Sequence, residues 1–394
     1  MGVVHVRRCF ASPHVLGRPL LSAASPALSS GPSSWSRVEA CAIIDGVTLR
    51  VLVGIVVFFA IGLLSSASTA APKRSVPAGF QPLSFTAVSE RDFWLLGSVP
   101  CHGRRCTAIV RTTDGGRSFT AVNAPQLPTS PYVPELRFAD HLDGFVFVRW
   151  SGRFYATHDG GASWKRLRLG RILGFATGGG RVLVATSRRL ESSRVSADAW
   201  QSRRLPFPSD GSVLDLEAHG STFWLLGTRQ GTAPSHDELA RSTDAGQTFM
   251  TARGPCVPGL GGELAPTSGN VVWAVCPTGT LGGAWRSTNG GVGFSQLRTP
   301  QLVNSSQIAA ASATTAVLDR GITVRLLRTT DGGRIWKPPK TPGRGTDVLW
   351  VGFTDARVGA ALVQTGYDQA AKTQIAALWR TTDGGATWSR VPVP

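Results

Sequence analysis

The sequence predicts an all-β fold: a seven-bladed β-propeller of four-stranded antiparallel blades, preceded by an N-terminal apolar segment. Three observations predict it. A nine-residue box recurs along the chain, a hairpin pattern recurs ahead of each box, and no long stretch shows the apolar spacing of a helix. Four-stranded units that repeat about every 40 to 50 residues make a β-propeller. The 46 glycines and 25 prolines also argue against a helical solenoid of similar period.

Six copies of the box are clear. The first reads RTTDGGRSF from Arg111 and the last reads RTTDGGATW from Arg380. Their shared acidic or amide residues are Asp114, Asp159, Asp244, Asn289, Asp331 and Asp383. The interval from Asp159 to Asp244 is nearly twice as long as the other intervals between these residues. Its middle contains SRVSADAW, which keeps Trp200 but has Val195 in place of the acid. The sequence therefore contains seven units.

The hairpin pattern gives the same count. It appears seven times, once ahead of each box, and one copy is LDLEAHGSTFWLLG from Leu214. A short apolar run, a polar turn and a second apolar run are typical of a β-hairpin. The strand that leads into each box and the strand that leaves it complete four strands per unit.

The box itself is predicted to be a hairpin turn. Its carboxylate can accept backbone N–H groups inside a tight turn, and the glycine two residues later can take positive φ. The closing aromatic residue is expected to enter the core of its own blade. These aromatic residues are Phe119, Trp164, Trp200, Phe249, Phe294, Trp336 and Trp388. Fold maintenance is the role that the box predicts.

The boxes resemble the Asp-box, or BNR repeat, of bacterial sialidases, sortilin-type receptors and the photosystem II assembly and stability factors. The resemblance covers the chain from about Phe80 to the C-terminus. It implies a propeller. In that superfamily the boxes lie at the blade periphery, away from the sialidase active site, so the resemblance implies no chemistry for the boxes here.

The N-terminal region follows a different pattern. We interpret residues 1–46 as an unstructured extension, residues 47–70 as a signal peptide or signal anchor, and residues 71–394 as the propeller. The apolar run from Val51 to Leu64 is shorter than the roughly 20 residues of a bilayer crossing and suits a secretory signal, with cleavage after Ala70. An uncleaved anchor, apolar through Ala67, is the alternative. Since Val47 can be encoded by GTG, a bacterial start codon, the extension is interpreted as a misassigned start.

Cysteine usage agrees with export. Four cysteines follow the leader: Cys101, Cys106, Cys256 and Cys276. An even number fits disulfides in an oxidising compartment, and of the three pairings the one between sequence neighbours is the simplest. Zinc at Cys101, His102 and Cys106 is the alternative, but one Cys-x4-Cys spacing is poor evidence for it, and no metal or cofactor is expected. The protein is expected to be secreted or in the cell envelope, and membrane-anchored only if the signal stays.

The chain is strongly basic, with a formal net charge of +17. Without residues 1–70 it keeps 36 basic and 22 acidic residues, a net charge of about +14. Such a charge favours an anionic envelope polymer or glycan, and a protein is the other candidate partner. Nucleic acid is a poor candidate for an exported monomer. Arginines in the degenerate third unit are candidate binding residues: Arg188, Arg189, Arg203 and Arg204. Their alternative role is that of solvated strand edges.

In five of the six clear boxes, arginine immediately precedes the Thr-x-Asp or Ser-x-Asp/Asn core and is the first of the nine residues. These arginines are Arg111, Arg241, Arg286, Arg328 and Arg380. Repeat geometry would place them at equivalent positions on successive blades, where they could form a ring of cations for an anionic partner. The favoured interpretation is that each guanidinium donates hydrogen bonds to carbonyls or acids at the junction between two blades.

Catalytic residues are sparse. A sialidase-type reaction needs an arginine cluster, a tyrosine activated by a glutamate, and an aspartate acid/base. The arginine motif of that family ahead of its first box is missing, and no GxSxG or HExxH occurs. We therefore predict a non-catalytic exported propeller that serves as a binding, scaffolding or assembly module. The alternative is a divergent sialidase-like glycoside hydrolase that uses Tyr155 or Tyr367, which fold analogy alone supports.

Overall fold

A computed structural model describes most of the chain after its N-terminal region. The described residues are 74–102, 104–128, 132–207, 212–228, 237–258, 260–303, 307–321, 326–342, 347–369 and 373–393. The predicted extension (1–46) and signal segment (47–70) lie outside these ranges. Within them the secondary structure is entirely β, and no helix has the length and apolar character to span a membrane.

The strands form seven sheets, one per sequence unit. The first contains β1 (Gln81–Ala87), β2 (Phe93–Cys101), β3 (Arg104–Thr112) and β4 (Thr120–Val122); the second contains β5 (Pro134–Phe138), β6 (Gly144–Val148), β7 (Arg153–Thr157) and β8 (Lys165–Leu167). The third contains β9 (Ile172–Gly178), β10 (Arg181–Thr186), β11 (Arg189–Arg194) and β12 (Gln201–Arg204); the fourth contains β13 (Ser212–His219), β14 (Thr222–Thr228), β15 (Glu238–Ser242) and β16 (Met250–Arg253).

The last three sheets follow the same plan. The fifth contains β17 (Glu263–Pro266), β18 (Val272–Pro277), β19 (Leu281–Ser287), β20 (Ser295–Gln296) and β21 (Leu302–Val303); the sixth contains β22 (Ile308–Ala310), β23 (Ala316–Asp319) and β24 (Leu326–Thr329); the seventh contains β25 (Asp347–Phe353), β26 (Gly359–Asp368), β27 (Thr373–Thr381) and β28 (Ser389–Val391). In the sixth, an antiparallel bridge between Arg328 and Lys337 takes the place of a fourth strand. Two prolines follow Lys337 and have no N–H to extend that pairing.

Each sheet is an antiparallel meander of consecutive strands, and its first strand is the innermost. First strands of successive blades lie next to one another around the ring, as β1 does with β5 and β13 does with β17. The predicted fold, seven antiparallel blades arranged as a propeller, is confirmed.

The box is a turn organised by one carboxylate. Asp114 Oδ1 accepts the N–H groups of Arg117 and Ser118 at 3.0 Å each, and its Oδ2 accepts the Ser118 hydroxyl at 2.6 Å. The Thr112 hydroxyl donates to Asp114 and accepts the Gly116 N–H. These hydrogen bonds to the charged form hold the pKa of Asp114 well below its ordinary range. Equivalent contacts recur at Asp159, Asp244, Asn289, Asp331 and Asp383.

The degenerate third box turns without the carboxylate and without the pair of positive-φ residues that the other boxes have. Ser193 Oγ donates to the Ala197 carbonyl at 2.7 Å, and the Val195 N–H reaches the Gly180 carbonyl of its own first hairpin at 3.0 Å. Backbone pairing and one hydroxyl therefore replace the acid. The seventh unit inferred from the sequence is a complete blade.

The hydrophobic cores lie between blades. The first and second blades share Trp94 and Phe138, whose rings stack 4.0 Å apart. The sixth and seventh blades enclose Trp388 together with Val317 and Phe353. All seven closing aromatics lie in the core shared with the preceding blade. The prediction that they enter the core of their own blade is wrong, because a single sheet has two faces and no interior.

Arginine side chains cross several junctions between blades. Arg241 Nη2 donates to the Gly269 carbonyl of the fifth blade at 2.8 Å, and Arg328 Nε donates to the Gly384 carbonyl of the seventh at 2.7 Å. Arg286 lies against the glycine turn of the sixth box and over the Trp273 ring. Arg111 forms a two-pronged ion pair with Asp92, which also binds a histidine of the second blade.

Two junctions lack a box arginine and use other side chains. His158 Nδ1 lies 2.6 Å from Asp143 Oδ1 of its own blade, and its Nε2 lies 3.4 Å from Asp198 of the third blade. Arg203 Nη1 donates to the Gln247 carbonyl of the fourth box at 2.8 Å. The guanidinium of Arg203 is therefore engaged at a junction.

The ring closes through packing between the seventh and first blades. Phe85 and Phe93 of the first blade share a core with Trp350 and Leu362 of the seventh. Arg380 Nη1 donates to the Gly115 carbonyl of the first box at 2.8 Å, and Nη2 donates to the Glu90 carbonyl. Among the described residues no strand is exchanged in closure, since β1 begins at Gln81 and pairs inside the first blade. The alternative that PAGFQP adds an outer strand to the last blade is wrong.

Both disulfides join sequence neighbours, as predicted. Cys101 and Cys106 close the tip of the β2–β3 hairpin. Cys276 in β18 is bonded to Cys256, which follows the last strand of the fourth blade, so this bridge links two adjacent blades. The first disulfide uses both sulfurs of the Cys-x4-Cys segment and leaves no thiolate there for zinc.

Ring closure can be tested at Arg380. Replacing it with methionine removes two hydrogen bonds between blades while keeping the apolar stem, so we expect a loss of about 1.5–3 kcal/mol of unfolding free energy. Urea denaturation measures this loss. The control is Arg390→Met, which removes an exposed arginine from β28 and should change stability by less than about 0.5 kcal/mol. Equal losses in the two variants would contradict the closure role.

Candidate functional site

The ring has two faces that differ in their connections. Consecutive strands run in opposite directions, so the boxes lie on the same face as the first hairpin turn of each blade, and the Gly115 N–H bonds the Arg91 carbonyl there at 2.9 Å. We call this the box face. The turns between second and third strands and the links between blades lie on the other face, which we call the linker face.

Charged side chains are buried at the centre of the ring, towards the linker face. Arg137 of β5 is fully buried, and its Nη2 lies 3.1 Å from Glu135 Oε2. Arg149, just beyond β6, lies 4.0 Å from the other Glu135 oxygen and donates to the Leu173 carbonyl of the third blade. Burial lowers the pKa of Arg149, and the charges of Glu135, Glu217 and Glu263 oppose that shift. Charged side chains of the second, fourth and fifth blades thus interact electrostatically across the centre.

A second group of carboxyls lies on the opposite side of the centre. Asp319 ends β23 and Asp347 begins β25, and Glu263 of the fifth blade also acts on Asp319. Burial raises the pKa of Asp319 to about 7 and raises the pKa of Asp347 as well. Among the described residues of this centre, acids outnumber bases although the chain is strongly basic.

Polar side chains at the centre bind the inner strands of neighbouring blades. Ser84 Oγ accepts the Leu136 N–H at 3.0 Å, and Asp215 Oδ2 accepts the Leu264 N–H at 2.6 Å. Gln307 donates to the Val348 carbonyl at 3.3 Å. An inner strand has a sheet partner on one side only, so its remaining backbone groups need side-chain partners. The centre is therefore organised by structural hydrogen bonding.

The linker face of the second and third blades carries a different surface. The described residues of its four connections, with the strand ends that flank them, are 149–153, 168–171, 187–189 and 204–207. The fourth connection continues to β13 through residues 208–211, which lie outside the described ranges and include Asp210 in the sequence. Every charged side chain in these residues is an arginine, and Asn and Gln are absent from them. The exposed members, which we call the arginine rim, are Arg153, Arg168, Arg171, Arg188, Arg189 and Arg204.

An exposed aromatic side chain lies within this rim. Trp150 is 42% exposed and follows the buried strand β6. The Arg171 guanidinium lies 5.5 Å from the centre of a Trp150 ring, a cation–π distance. Half-buried leucines at 169 and 205 flank the rim arginines in sequence. The surface therefore offers cations and apolar area together.

The structure divides the sequence-predicted arginines between the two faces. Arg188, Arg189 and Arg204 are exposed on the linker face, and Arg189 is paired with Arg204 across β11 and β12. The five box arginines lie on the box face, away from this group. Beside Arg380 an open cleft of about 350 Å³ is lined by Glu90, Arg91, Asp114, Gly115 and Arg117.

The tyrosines of the glycoside hydrolase hypothesis do not lie on inner strands. Tyr155 is half-buried in β7 and packs against the core of the first two blades. Tyr367 is 46% exposed near the end of β26, opposite Gln374. The central pair of Glu135 and Arg137 lies on β5 instead.

Sequence reasoning missed the buried centre and Trp150. Glu135 and Arg137 alternate with Leu136 and Phe138 in one short strand, which was the available signal for a strand with a polar side. Nothing in the sequence indicated that the polar side would face the axis, because the box count alone does not say which strand is innermost. Trp150 follows the apolar run GFVFV, where an additional strand residue was the simplest interpretation.

Comparison with known proteins finds likeness in structure. No family model matches the chain, and no curated protein matches it. A structure of YCF48 bound to a D1 peptide is similar with a TM-score of 0.50 at 18% identity, over 80% of this chain and 96% of that one. YCF48 from Cyanidioschyzon merolae is similar with a TM-score of 0.51 at 13% identity, over 79% of this chain and 98% of that one. A Mycobacterium tuberculosis puromycin-hydrolyzing peptidase is similar with a TM-score of 0.50 at 12% identity, over 81% of this chain and 56% of that one. At these identities the likeness shows the propeller fold alone.

The buried carboxyl of Asp319 predicts a pH dependence of stability. Its pKa is about 7 in the folded chain against an ordinary value of 3.8, so the folded state holds the proton more tightly. The contribution of this carboxyl to the free energy of unfolding is then fully present below about pH 4. It falls as the pH rises to about 7, by up to about 4 kcal/mol. In Asp319→Asn this decline should largely disappear, as measured by urea denaturation at pH 5 and pH 8.

The control for Asp319 is Glu90→Gln, which changes an exposed carboxylate. It should keep the pH dependence of the wild type. A decline of the same size in Asp319→Asn would show that another group causes it.

Proposed function

We propose that this protein is an exported, non-catalytic binding module that holds an acidic segment of a partner protein on the arginine rim. The proposal rests chiefly on one observation: in the described connections of the second and third blades, every charged side chain is an arginine. A scaffolding or assembly role follows if the same partner is held while it joins a larger complex.

The chemistry of the rim favours a partner rich in acceptors. Arginine has five N–H donors and no acceptor, and its planar fork matches a carboxylate with two parallel hydrogen bonds. Neutral sugars present hydroxyls that need acceptors as well as donors, and the described rim connections contain no Asp, Glu, Asn or Gln. Carboxylates are the better match.

The apolar part of the surface favours a polypeptide over an anionic polymer. The exposed face of Trp150 adds apolar area among the rim arginines. Tryptophan and arginine are the residues most enriched at energetically important positions of protein interfaces. A phosphate polymer would use the cations and leave the indole without a partner.

Export is supported by two disulfides, which persist in oxidising compartments. We propose that the segment of residues 47–70 is a bacterial signal, cleaved or retained as an anchor, and that the repeated boxes are Asp-boxes of the BNR type. The peptide held in the YCF48 structure is a precedent for peptide binding by this fold. Arg188, Arg189 and Arg204 are the proposed partner contacts, and the guanidinium of Arg203 remains at its junction.

The proposal predicts a specific loss of binding. A fluorescein-labelled oligoglutamate, titrated with the propeller in low salt, should bind roughly tenfold more weakly when Arg188, Arg189 and Arg204 are all replaced with alanine. The reason is the loss of three cations from one surface. Fluorescence anisotropy measures the affinity, and added salt should weaken the wild type more than the variant.

The matched control removes three exposed arginines from the box face: Arg91, Arg334 and Arg357. It has the same net charge as the rim variant and should bind within about twofold of wild type. Equal weakening in both variants would show that net charge alone drives binding. Tighter binding of a polyphosphate of equal charge would assign the rim to an anionic polymer.

A further inference from the structure

We infer that Trp150 is a preformed anchor of the partner interface, which selects an apolar side chain flanked by carboxylates. This inference rests on the proposed function and names the recognition element within it. It is carried by the backbone of Trp150, by its exposure and by its position among the rim arginines.

The backbone of Trp150 is in an unfavourable conformation. Its φ is +62°, in the left-handed region that L side chains rarely adopt, and bulky residues least of all. The other non-glycine residues with positive φ in the described chain are His102 and Ala245. Ala245 occupies the place of Gly115 in its box, and His102 lies at a hairpin tip between two bonded cysteines. Trp150 also lies in a turn, the one between β6 and β7, and that turn accounts for a positive φ but not for a bulky residue at this position.

Hydrogen bonds from the next blade hold this turn in place. The Trp150 N–H donates to the Ile172 carbonyl at 2.8 Å, and the Ile172 N–H donates to the Ser151 carbonyl at 2.9 Å. Ile172 begins the innermost strand of the third blade. The turn is therefore fixed by two bonds before any ligand arrives, which lowers the entropy lost on binding.

The turn between β6 and β7 uses this backbone conformation, but nothing in the fold requires tryptophan at that position. Glycine would adopt this φ without strain, and the side chain of Trp150 is 42% exposed. Strained residues held by their surroundings are concentrated at functional sites, and the inference runs from the observed strain to function. A large apolar side chain kept exposed at such a position indicates a binding role.

The surroundings define the ligand. One indole face is near the Arg171 guanidinium, and the other rim arginines belong to the same connections. An apolar side chain packed on the indole would place the residues on either side of it among arginines. The matching ligand is a short acidic peptide with one apolar residue between carboxylates.

Two synthetic peptides test this inference: a glutamate-rich peptide with one central phenylalanine, and its counterpart with serine at that position. We expect wild-type protein to bind the phenylalanine peptide at least about tenfold more tightly. Trp150→Gly should bind both peptides with the affinity that the wild type has for the serine peptide. Because glycine relieves the strain, the thermal unfolding midpoint of Trp150→Gly should equal or exceed that of the wild type.

Ala245→Gly is the matched control, since it relieves a positive φ of 58° on the box face. It should keep the tenfold preference. A preference that persists in Trp150→Gly would overturn the inference, as would a lower thermal midpoint with equal loss of both peptides. Equal binding of both peptides by wild type refutes the anchor alone, whereas failure to bind either refutes the proposed function as well.

Discussion

The blades of this protein depend on one another, because each four-stranded sheet has two largely apolar faces and buries both against neighbouring sheets. Seven sheets therefore share seven cores, and the last of these, between the seventh and first blades, is built from aliphatic and aromatic side chains of two adjacent blades like the rest. In the part of the chain that the structure describes, no strand is exchanged between the first and last blades. Closure depends on aromatic packing and on the hydrogen bonds of Arg380 to the first box. A blade separated from its neighbours would expose one or both of its apolar faces.

This arrangement produces a polar centre inside an apolar ring. The innermost strands face the axis, where they have no further strand to pair with, and side chains such as Ser84 and Asp215 take up backbone N–H groups of the next blade. The same burial raises the pKa of Asp319. The charges at the centre are thus consequences of how the inner strands are joined, and the ion pair of Glu135 and Arg137 belongs to the same structural network.

Side chains on the two faces of the ring are engaged to different degrees. On the box face, each carboxylate organises its turn, and side chains of one blade bind the turn of the next, so these residues are committed to the fold. The connections of the linker face carry fewer such constraints, and the second and third blades use them to display arginines and Trp150. Exposed side chains can vary there, because the hydrogen bonds that join the Trp150 turn to Ile172 of the next blade use backbone groups.

Much of the fold could be predicted from the sequence, since a turn that repeats every 40 to 50 residues or so is a local signal. The boxes and hairpins predicted the blade number and the antiparallel order of strands. Cysteine spacing favoured the disulfide pairing that the structure has, as the simplest of three. The arginines before the boxes also suggested contacts between blades. These features depend on residues close together in the chain.

What only the tertiary structure decided is which residues from different blades meet. Glu135 and Glu217 are far apart in sequence, and they act on the same arginine because both lie on innermost strands. The closing aromatics pack against the preceding blade because a lone sheet has no interior. Arg203 and Arg188 are alike in sequence, yet one contacts the next blade and the other faces solvent. Such differences arise from the order in which strands assemble around the axis, which no local pattern encodes.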